Sequence, residues 1–270
     1  MSQDKILIQT PAKINLFLKV LNKRKDGYHN IKTGVTFLNL YDEVLIETSR
    51  KKQNYINYFG PFAPKRKKFN NDIIKKLLRF IYFEEKKKFY LKIKIKKNIP
   101  FNSGLGGASA DAAAILRALY KLKIISKKMD VKKMSLIGAD IPMCLKSKDC
   151  IAEGIGEKIN YKIKRKKNYF LLVKPNFSLS TKKIYSKFKL DKKNKLYSND
   201  LINTVSKINP KIRTLLDDLS FTKKNNLSNM SGSGSCCYAR FNKLNDVKIA
   251  MKEITKKYPN YWVFIAKNIS

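Results

Sequence analysis

Residues 90–96 read Tyr-Leu-Lys-Ile-Lys-Ile-Lys, with aliphatics on one side and lysines on the other. That period of two predicts a half-buried strand. The strand runs into Pro100-Phe101-Asn102-Ser103-Gly104-Leu105-Gly106-Gly107-Ala108-Ser109. Beyond this loop Ala112, Leu116, Leu119 and Tyr120 share one face of a predicted helix over residues 110–122. Upstream, Ile73, Ile74, Leu77, Leu78 and Ile81 recur at helical spacing over 72–83, with Asn71 or Asp72 placed to cap the helix. Residues 6–20 read as a strand broken at Thr10-Pro11, Asp26-Gly27 as a turn, and 33–40 and 43–47 as a further pair of strands. Gly60-Pro61 and Pro64 predict an irregular stretch over 54–69, and 137–145 reads as a turn or helix end. Further on, 169–173, 236–241 and 261–265 read as strands, 201–219 as mostly helical, and 230–235 as a second Ser/Gly loop. Strands and helices mixed in this way predict an α+β fold in two domains, 1–160 and 161–270, bordered by the basic stretch at 161–167.

Charge changes the picture next. Lys and Arg number 59 against 20 Asp and Glu, a formal net charge of +39. A field of that size attracts polyanions without specific contacts. The lysines, however, lie almost everywhere along the chain rather than in one tail or stripe, and arginines are few. That distribution favours a diffuse basic background over a dedicated nucleic-acid surface, though it also suits an enzyme with phosphorylated substrates. Four cysteines and a single histidine leave few ways to build a metal site. The first ten residues do not read as a signal peptide, and no apolar run reaches the roughly 18 residues of a membrane helix. The expectation is a soluble, cytoplasmic chain with no membrane partner and no specific nucleic-acid partner.

A strand, a glycine-rich loop and a helix start together form an anion site, because the first N–H groups of a helix have no internal acceptor and its dipole favours negative charge. A P-loop would need Gly-Lys-Ser/Thr, but Gly107 is followed by Ala108 and Ser109. A dinucleotide fingerprint would need a third glycine where Ser109 stands. What remains, Pro-x-x-x-Gly-Leu-Gly-Gly-x-Ser-x-x-Ala, resembles the phosphate loop of the GHMP kinases, which act on galactose, homoserine, mevalonate and phosphomevalonate. Thr10-Pro11-Ala12-Lys13-Ile14-Asn15-Leu16, then Asp26-Gly27-Tyr28-His29, resembles the start of one branch, the 4-diphosphocytidyl-2-C-methyl-D-erythritol kinases. Gly138-Ala139-Asp140-Ile141-Pro142, Ala152-Glu153-Gly154-Ile155-Gly156-Glu157 and Ser231-Gly232-Ser233-Gly234-Ser235-Cys236 follow in the order and spacing of that branch. The resemblance covers nearly the whole chain and is weakest over 53–68 and 182–226.

The resemblance implies a two-domain kinase fold: an N-terminal ATP domain like ribosomal S5 domain 2, a C-terminal α/β-plait domain, and the active site in the cleft between them. It implies ATP-dependent phosphorylation of the substrate's 2-hydroxyl, a step of non-mevalonate isoprenoid precursor synthesis, by a monomer or homodimer with Mg²⁺. Carried over residue by residue, the catalytic pair falls on Lys13 and Asp140. The ATP positions fall on Pro100, Gly104, Leu105, Gly106, Gly107, Ala108, Ser109 and Ala110, with Asn71 and Lys97 near the nucleoside and the Ser109 hydroxyl a candidate phosphate or Mg²⁺ ligand. Tyr28, His29 and Tyr185 match the cytidine site. Asn15, Thr181, Gly232, Ser233 and Gly234 match positions about the rest of the substrate. The loop is poorer in glycine than in many relatives, but Asn102, Ser103, Ala108 and Ala110 are all small or turn-compatible. Taken alone, Asp140 could be a helix cap, Lys13 a solvated lysine, and Tyr185 a core aromatic.

Overall fold

The computed structural model describes residues 5–64, 72–126, 129–162, 166–190 and 199–269. In chain order these form β1 (Lys5–Lys23), β2 (His29–Thr48), β3 (Tyr55–Phe59), α1 (Ile73–Glu85), β4 (Leu91–Lys96), α2 (Gly107–Lys121), α3 (Val131–Ile137), α4 (Ile141–Cys144), β5 (Cys150–Gly154), β6 (Lys158–Asn160), β7 (Tyr169–Lys174), α5 (Thr181–Lys187), α6 (Leu201–Ile208), α7 (Lys211–Ser220), β8 (Leu227–Met230), β9 (Cys237–Phe241), α8 (Leu244–Lys257) and β10 (Trp262–Lys267). The elements gather into two compact units. The first is built from Met1–Ala12, Leu40–Phe101 and Gly106–Ser147, the second from Lys13–Asn39, Asn102–Leu105 and Lys148–Ser270. No helix among the described residues is long and apolar enough to cross a membrane.

In the first unit β4 has the alternation expected of it: Leu91, Ile93 and Ile95 are fully buried. It pairs antiparallel with the second half of β2, Val44 against Ile95 and Ile46 against Ile93, and parallel with β3 on its other edge. The opposite face carries Lys96–Glu43 and Lys92–Glu47 ion pairs at 3.1 and 3.6 Å, solvated enough to add little stability. Helix α1 buries Ile74, Leu77, Leu78 and Ile81. Asp72 caps it, accepting from the Ile74 amide at 2.8 Å; Asn71 lies outside the described residues. Helix α2 is buried almost all round, and its run of alanines lets α1 and α4 pack close.

Two strand readings are corrected here. β1 runs unbroken through Thr10-Pro11; it is laddered to β2, and a strand bonded along one edge tolerates a proline whose nitrogen faces the other. β2 is one strand rather than two; Asp42, in the gap between the two expected strands, is fully buried and paired with Lys97. β3 occupies part of the stretch expected to be irregular, and ends at Gly60-Pro61.

The second unit holds an antiparallel sheet in the order β10-β7-β9-β8. Leu171 and Val173 of β7 and Ala239 and Phe241 of β9 pack with Leu215 and Leu219 of α7 and Val247, Ala250 and Ile254 of α8. Leu18 and Val20 of β1 join the same cluster. The first half of β2 pairs with β5, which pairs with β6. Helices α5 and α8 and strands β5 and β6 were not read from the sequence, although Val247, Ala250, Met251 and Ile254 of α8 recur at helical spacing and face the core.

Candidate active site

Of the glycine-rich segment, Gly106 and the start of α2 belong to the first unit and residues 102–105 to the second. Gly106 sits at the N-cap of α2 with φ +73°, a left-handed conformation that glycine adopts without strain. The helix then begins three residues earlier than its apolar period suggests. Gly107, Ala108 and Ser109 form its first turn, so their N–H groups have no intrahelical acceptor and their dipoles add toward an anion. Pro100 is buried ahead of the loop, Ala110 is buried behind it, and the Ser109 side chain is half-buried in the first turn.

Lys97, expected near the nucleoside, has its ammonium between two buried carboxylates. It is only 4% exposed and donates to the Asp42 carboxylate and, at 2.6 Å, to Asp111. Burial alone would lower its pKa, but Asp111 and Asp42 outweigh that and hold it above the usual lysine value. Burial lifts the Asp111 carboxyl to about 6, with the Asp42 charge adding to the rise and Lys97 opposing it. Asp140 stands at the N-cap of the short helix α4, half-buried, and its carboxylate makes no capping hydrogen bond. The capping role open to it from the sequence is not the one it has.

The second unit gathers most of the remaining positions. The Lys13 side chain is 3% exposed and its ammonium donates to Asn15 Oδ1 at 2.7 Å. Asn15 is fixed in turn: its Nδ2 donates to the Thr33 hydroxyl at 2.8 Å, its amide to Ser231 Oγ at 3.3 Å, and its carbonyl accepts from Tyr238 at 3.0 Å. The two glycine-bearing loops meet here. The Ser231 hydroxyl donates to the Gly104 carbonyl at 2.8 Å, the Cys236 amide to Ser103 O at 3.0 Å, and the Lys13 amide to Leu105 O at 2.9 Å. Gly104 has φ +80°, and a Cβ on it would lie 2.2 Å from the Ser231 carbonyl oxygen. Asn199 Nδ2 bonds the carbonyls of Met230 and Gly232, each at 2.8 Å, and holds the second loop from behind. A Cβ on Gly232 would lie 3.3 Å from Asn15 Oδ1 and 3.7 Å from Lys13 Nζ, so that glycine faces the Lys13–Asn15 pair. Ser233 leads, through its hydroxyl, to Thr181 at 2.8 Å; Gly234, with φ +82°, closes the turn.

On the same helix as Thr181, Tyr185 has its ring 5.3 Å from the imidazole of His29, which meets Phe188 edge-on at 6.0 Å. Burial, with Lys23 nearby, lowers the His29 pKa below 6.5. Tyr28 is 45% exposed. The Asp26-Gly27 turn sets its backbone, with the Tyr28 amide donating to Asp26 Oδ1 at 3.1 Å and Gly27 at φ +85°. Sequence reasoning missed Asp42, Asp111, Thr33, Asn199 and Phe188 as members of these clusters, and named Ser231 only as part of the Ser/Gly loop.

Comparison with known proteins gives the same family. Residues 72–152 match the family model of the GHMP kinase N-terminal domain and 190–260 that of the GHMP kinase C-terminal domain. A 4-diphosphocytidyl-2-C-methyl-D-erythritol kinase of Ehrlichia canis is 31% identical over 97% of this chain and 98% of its own length. The enzyme of the same name from Francisella tularensis subsp. novicida is 33% identical over 93% of both. Among solved structures, a 4-(cytidine 5'-diphospho)-2C-methyl-D-erythritol kinase superposes with a TM-score of 0.75 at 22% identity, covering 98% of this chain and 100% of that one. A homoserine kinase from Cytophaga hutchinsonii does so at 0.65 and 16%, over 99% and 95%. The structural likenesses carry the two-domain α+β fold, and the sequence likenesses carry the family. This chain belongs to the GHMP kinases and, within them, to the family of the 4-diphosphocytidyl-2-C-methyl-D-erythritol kinases.

Proposed function

We propose that this chain transfers the γ-phosphoryl group of ATP to the 2-hydroxyl of 4-diphosphocytidyl-2-C-methyl-D-erythritol, giving the 2-phosphate and ADP. The reaction is a step of non-mevalonate isoprenoid precursor synthesis. The observation that carries the reading is Lys13. In a chain where most lysines are solvated, this one is buried, with its ammonium oriented by Asn15 beside the Ser/Gly loop. Its role is to offset charge on the transferring phosphoryl group and to orient the hydroxyl. Asp140 accepts the hydroxyl proton. The oxygen then bonds to the γ-phosphorus as the bond to the β-phosphate bridging oxygen breaks, and ADP leaves with that electron pair.

The first-turn N–H groups of α2 bind phosphate oxygens, supported by Gly104 and Leu105 on the loop before them. Tyr28, His29 and Tyr185 hold the cytosine by stacking and by hydrogen bonds to its edge. Thr181, Asn15 and residues 232–234 hold the diphosphate and the methylerythritol. For Mg²⁺, the described residues hold no cluster of three His, Cys, Asp or Glu side chains fit for a metal ion. The protein's contribution is then the Ser109 hydroxyl, with ATP phosphates and water supplying the rest; once bound, the ion neutralises phosphate charge. As part of the same proposal the enzyme is cytoplasmic and works as a monomer or homodimer.

The test is Lys13→Met. Turnover should fall by about 10²–10³-fold, the range for removing one group that stabilises developing charge, while the cytidine substrate still binds. Turnover within twofold of wild type removes Lys13 from the chemistry.

A further inference from the structure

We infer that Asp42 is the positioning residue of the phosphate loop: one buried carboxylate fixes the backbone on both sides of the glycine-rich segment, with Lys97 and Asp111 holding it in place. On the approach side, Asp42 Oδ1 accepts from the amides of Asn98 at 2.6 Å and Ile99 at 2.8 Å, the residues that lead from β4 into the loop. On the departure side, Gly107 is the first residue of α2, and a Cβ on it would lie 3.1 Å from both Asp42 Oδ2 and Ile99 Cγ2, so the helix start packs directly on the carboxylate and on the residue that it holds. Oδ2 also takes the Lys97 ammonium, which reaches on to Asp111 Oδ2 one turn further along α2. The hydroxyl of Thr10 closes the cluster, donating to Asp111 Oδ1 at 2.8 Å. Asp42 and Thr10 are fully buried, and Asp111 is 1% exposed.

A merely structural peg does not need this chemistry. Apolar side chains of similar volume serve stability as well as a buried ion pair, or better. Two carboxylates against one ammonium leave net negative charge beneath a helix start that binds phosphate, which works against affinity for an anion. What the carboxylate supplies is direction: several charge-assisted bonds converge on two oxygens and fix the backbone they come from. Phosphoryl transfer depends on that, since a misplacement of about 1 Å can lower a rate by about 10²-fold.

The inference rests on the kinase reading, and the test separates the two. The first variant is Asp42→Asn, which keeps one oxygen but turns an amide donor toward the Lys97 ammonium. In ADP-release assays its KM for ATP should rise about 10- to 100-fold, with the KM for the cytidine substrate within twofold. The second is Gly107→Ala, whose methyl presses on the Asp42 carboxylate and on Ile99 together, each of which must give by a few tenths of an ångström, and should raise the ATP KM about fivefold. The double variant should be no worse than the larger single, because both act through one contact. A folded Asp42→Asn with unchanged ATP KM, or with both KM values rising by the same factor, overturns the inference. If Asp42→Asn does not fold, Gly107→Ala decides by the same criterion. If wild-type protein releases no ADP, the kinase reading fails. Amide hydrogen exchange then decides: faster exchange at Asn98 and Ile99 alone in the folded variants upholds the positioning role, and unchanged exchange there removes it.

Discussion

Gly104→Ala tests how tightly the two glycine-bearing loops of the second unit are interlocked. Gly104 holds φ +80°, and an added Cβ would lie 2.2 Å from the Ser231 carbonyl oxygen and 3.1 Å from that of Gly234. Both neighbours are backbone, so no side chain can swing aside. The left-handed conformation costs an L-residue about 1–2 kcal/mol. Relieving the contact requires the loops to part by about 1 Å to reach ordinary van der Waals separation. That breaks the 2.8 Å bond from the Ser231 hydroxyl to the Gly104 carbonyl, worth about 1 kcal/mol net. The sum is about 2–3 kcal/mol, a fall in Tm of roughly 4–12 °C for a chain of this size. The shift also reaches the Lys13 amide through Leu105 O, so kcat/KM for ATP should fall by about 10²-fold. Gly27→Ala is the control: its φ is +85°, but nothing lies within 4 Å of the added Cβ. It should lower Tm by a few degrees and leave ATP kinetics alone. Thermal unfolding and ADP release on the two variants settle it. A Gly104→Ala protein as stable and as active as wild type would refute the interlock.

His29 is the chain's one histidine, so its ring protons titrate alone in a proton NMR spectrum. The midpoint should lie below 6.5, since burial and Lys23 disfavour the charged ring, and Tyr185→Ala should move it back toward 6.5. The same Tyr185→Ala change should raise KM for the cytidine substrate about 5- to 150-fold, the loss of one stacking partner, with the ATP KM steady; equal rises in both would argue against a cytosine site. Asp111 has its folded pKa raised to about 6 from 3.8. Its contribution to stability is therefore whole below pH 4 and lost as pH rises through about 6. In urea melts across pH 4–7, wild type should lose stability relative to Asp111→Asn as pH rises; parallel pH profiles for the two proteins would clear Asp111 of that role.

Local signals served the sequence reading well where side-chain pattern alone decides structure. Leu91, Ile93 and Ile95 announce β4, and Ile74, Leu77, Leu78 and Ile81 announce α1, because each set faces one core. Gly104 and Gly106 are legible for a different reason: each holds a left-handed backbone conformation that favours glycine. What stayed hidden is long-range pairing. Asp42 was not singled out at all, and Lys97 only through the family resemblance. Their burial follows from each other and from Asp111, which is 69 residues beyond Asp42 in the sequence. Asn199 and Thr33 were invisible likewise, since they act by holding Gly232 and Asn15 and carry no motif of their own. Lys13 and Asp140 were singled out only through the family resemblance. The structure adds that the Lys13 ammonium is buried and oriented, and that the Asp140 carboxylate is not used as a helix cap.

The most direct measurement is ADP release by wild-type protein and by Asp140→Asn, with 4-diphosphocytidyl-2-C-methyl-D-erythritol, mevalonate, homoserine or no acceptor. Wild type should release ADP with the cytidine substrate well above the blank and with neither of the other two. Asp140→Asn should bind ATP and the cytidine substrate nearly as before while turnover falls about 10²–10⁴-fold, the range for loss of a positioned proton acceptor. Release with mevalonate or homoserine in place of the cytidine substrate, or full turnover by Asp140→Asn, would contradict the account.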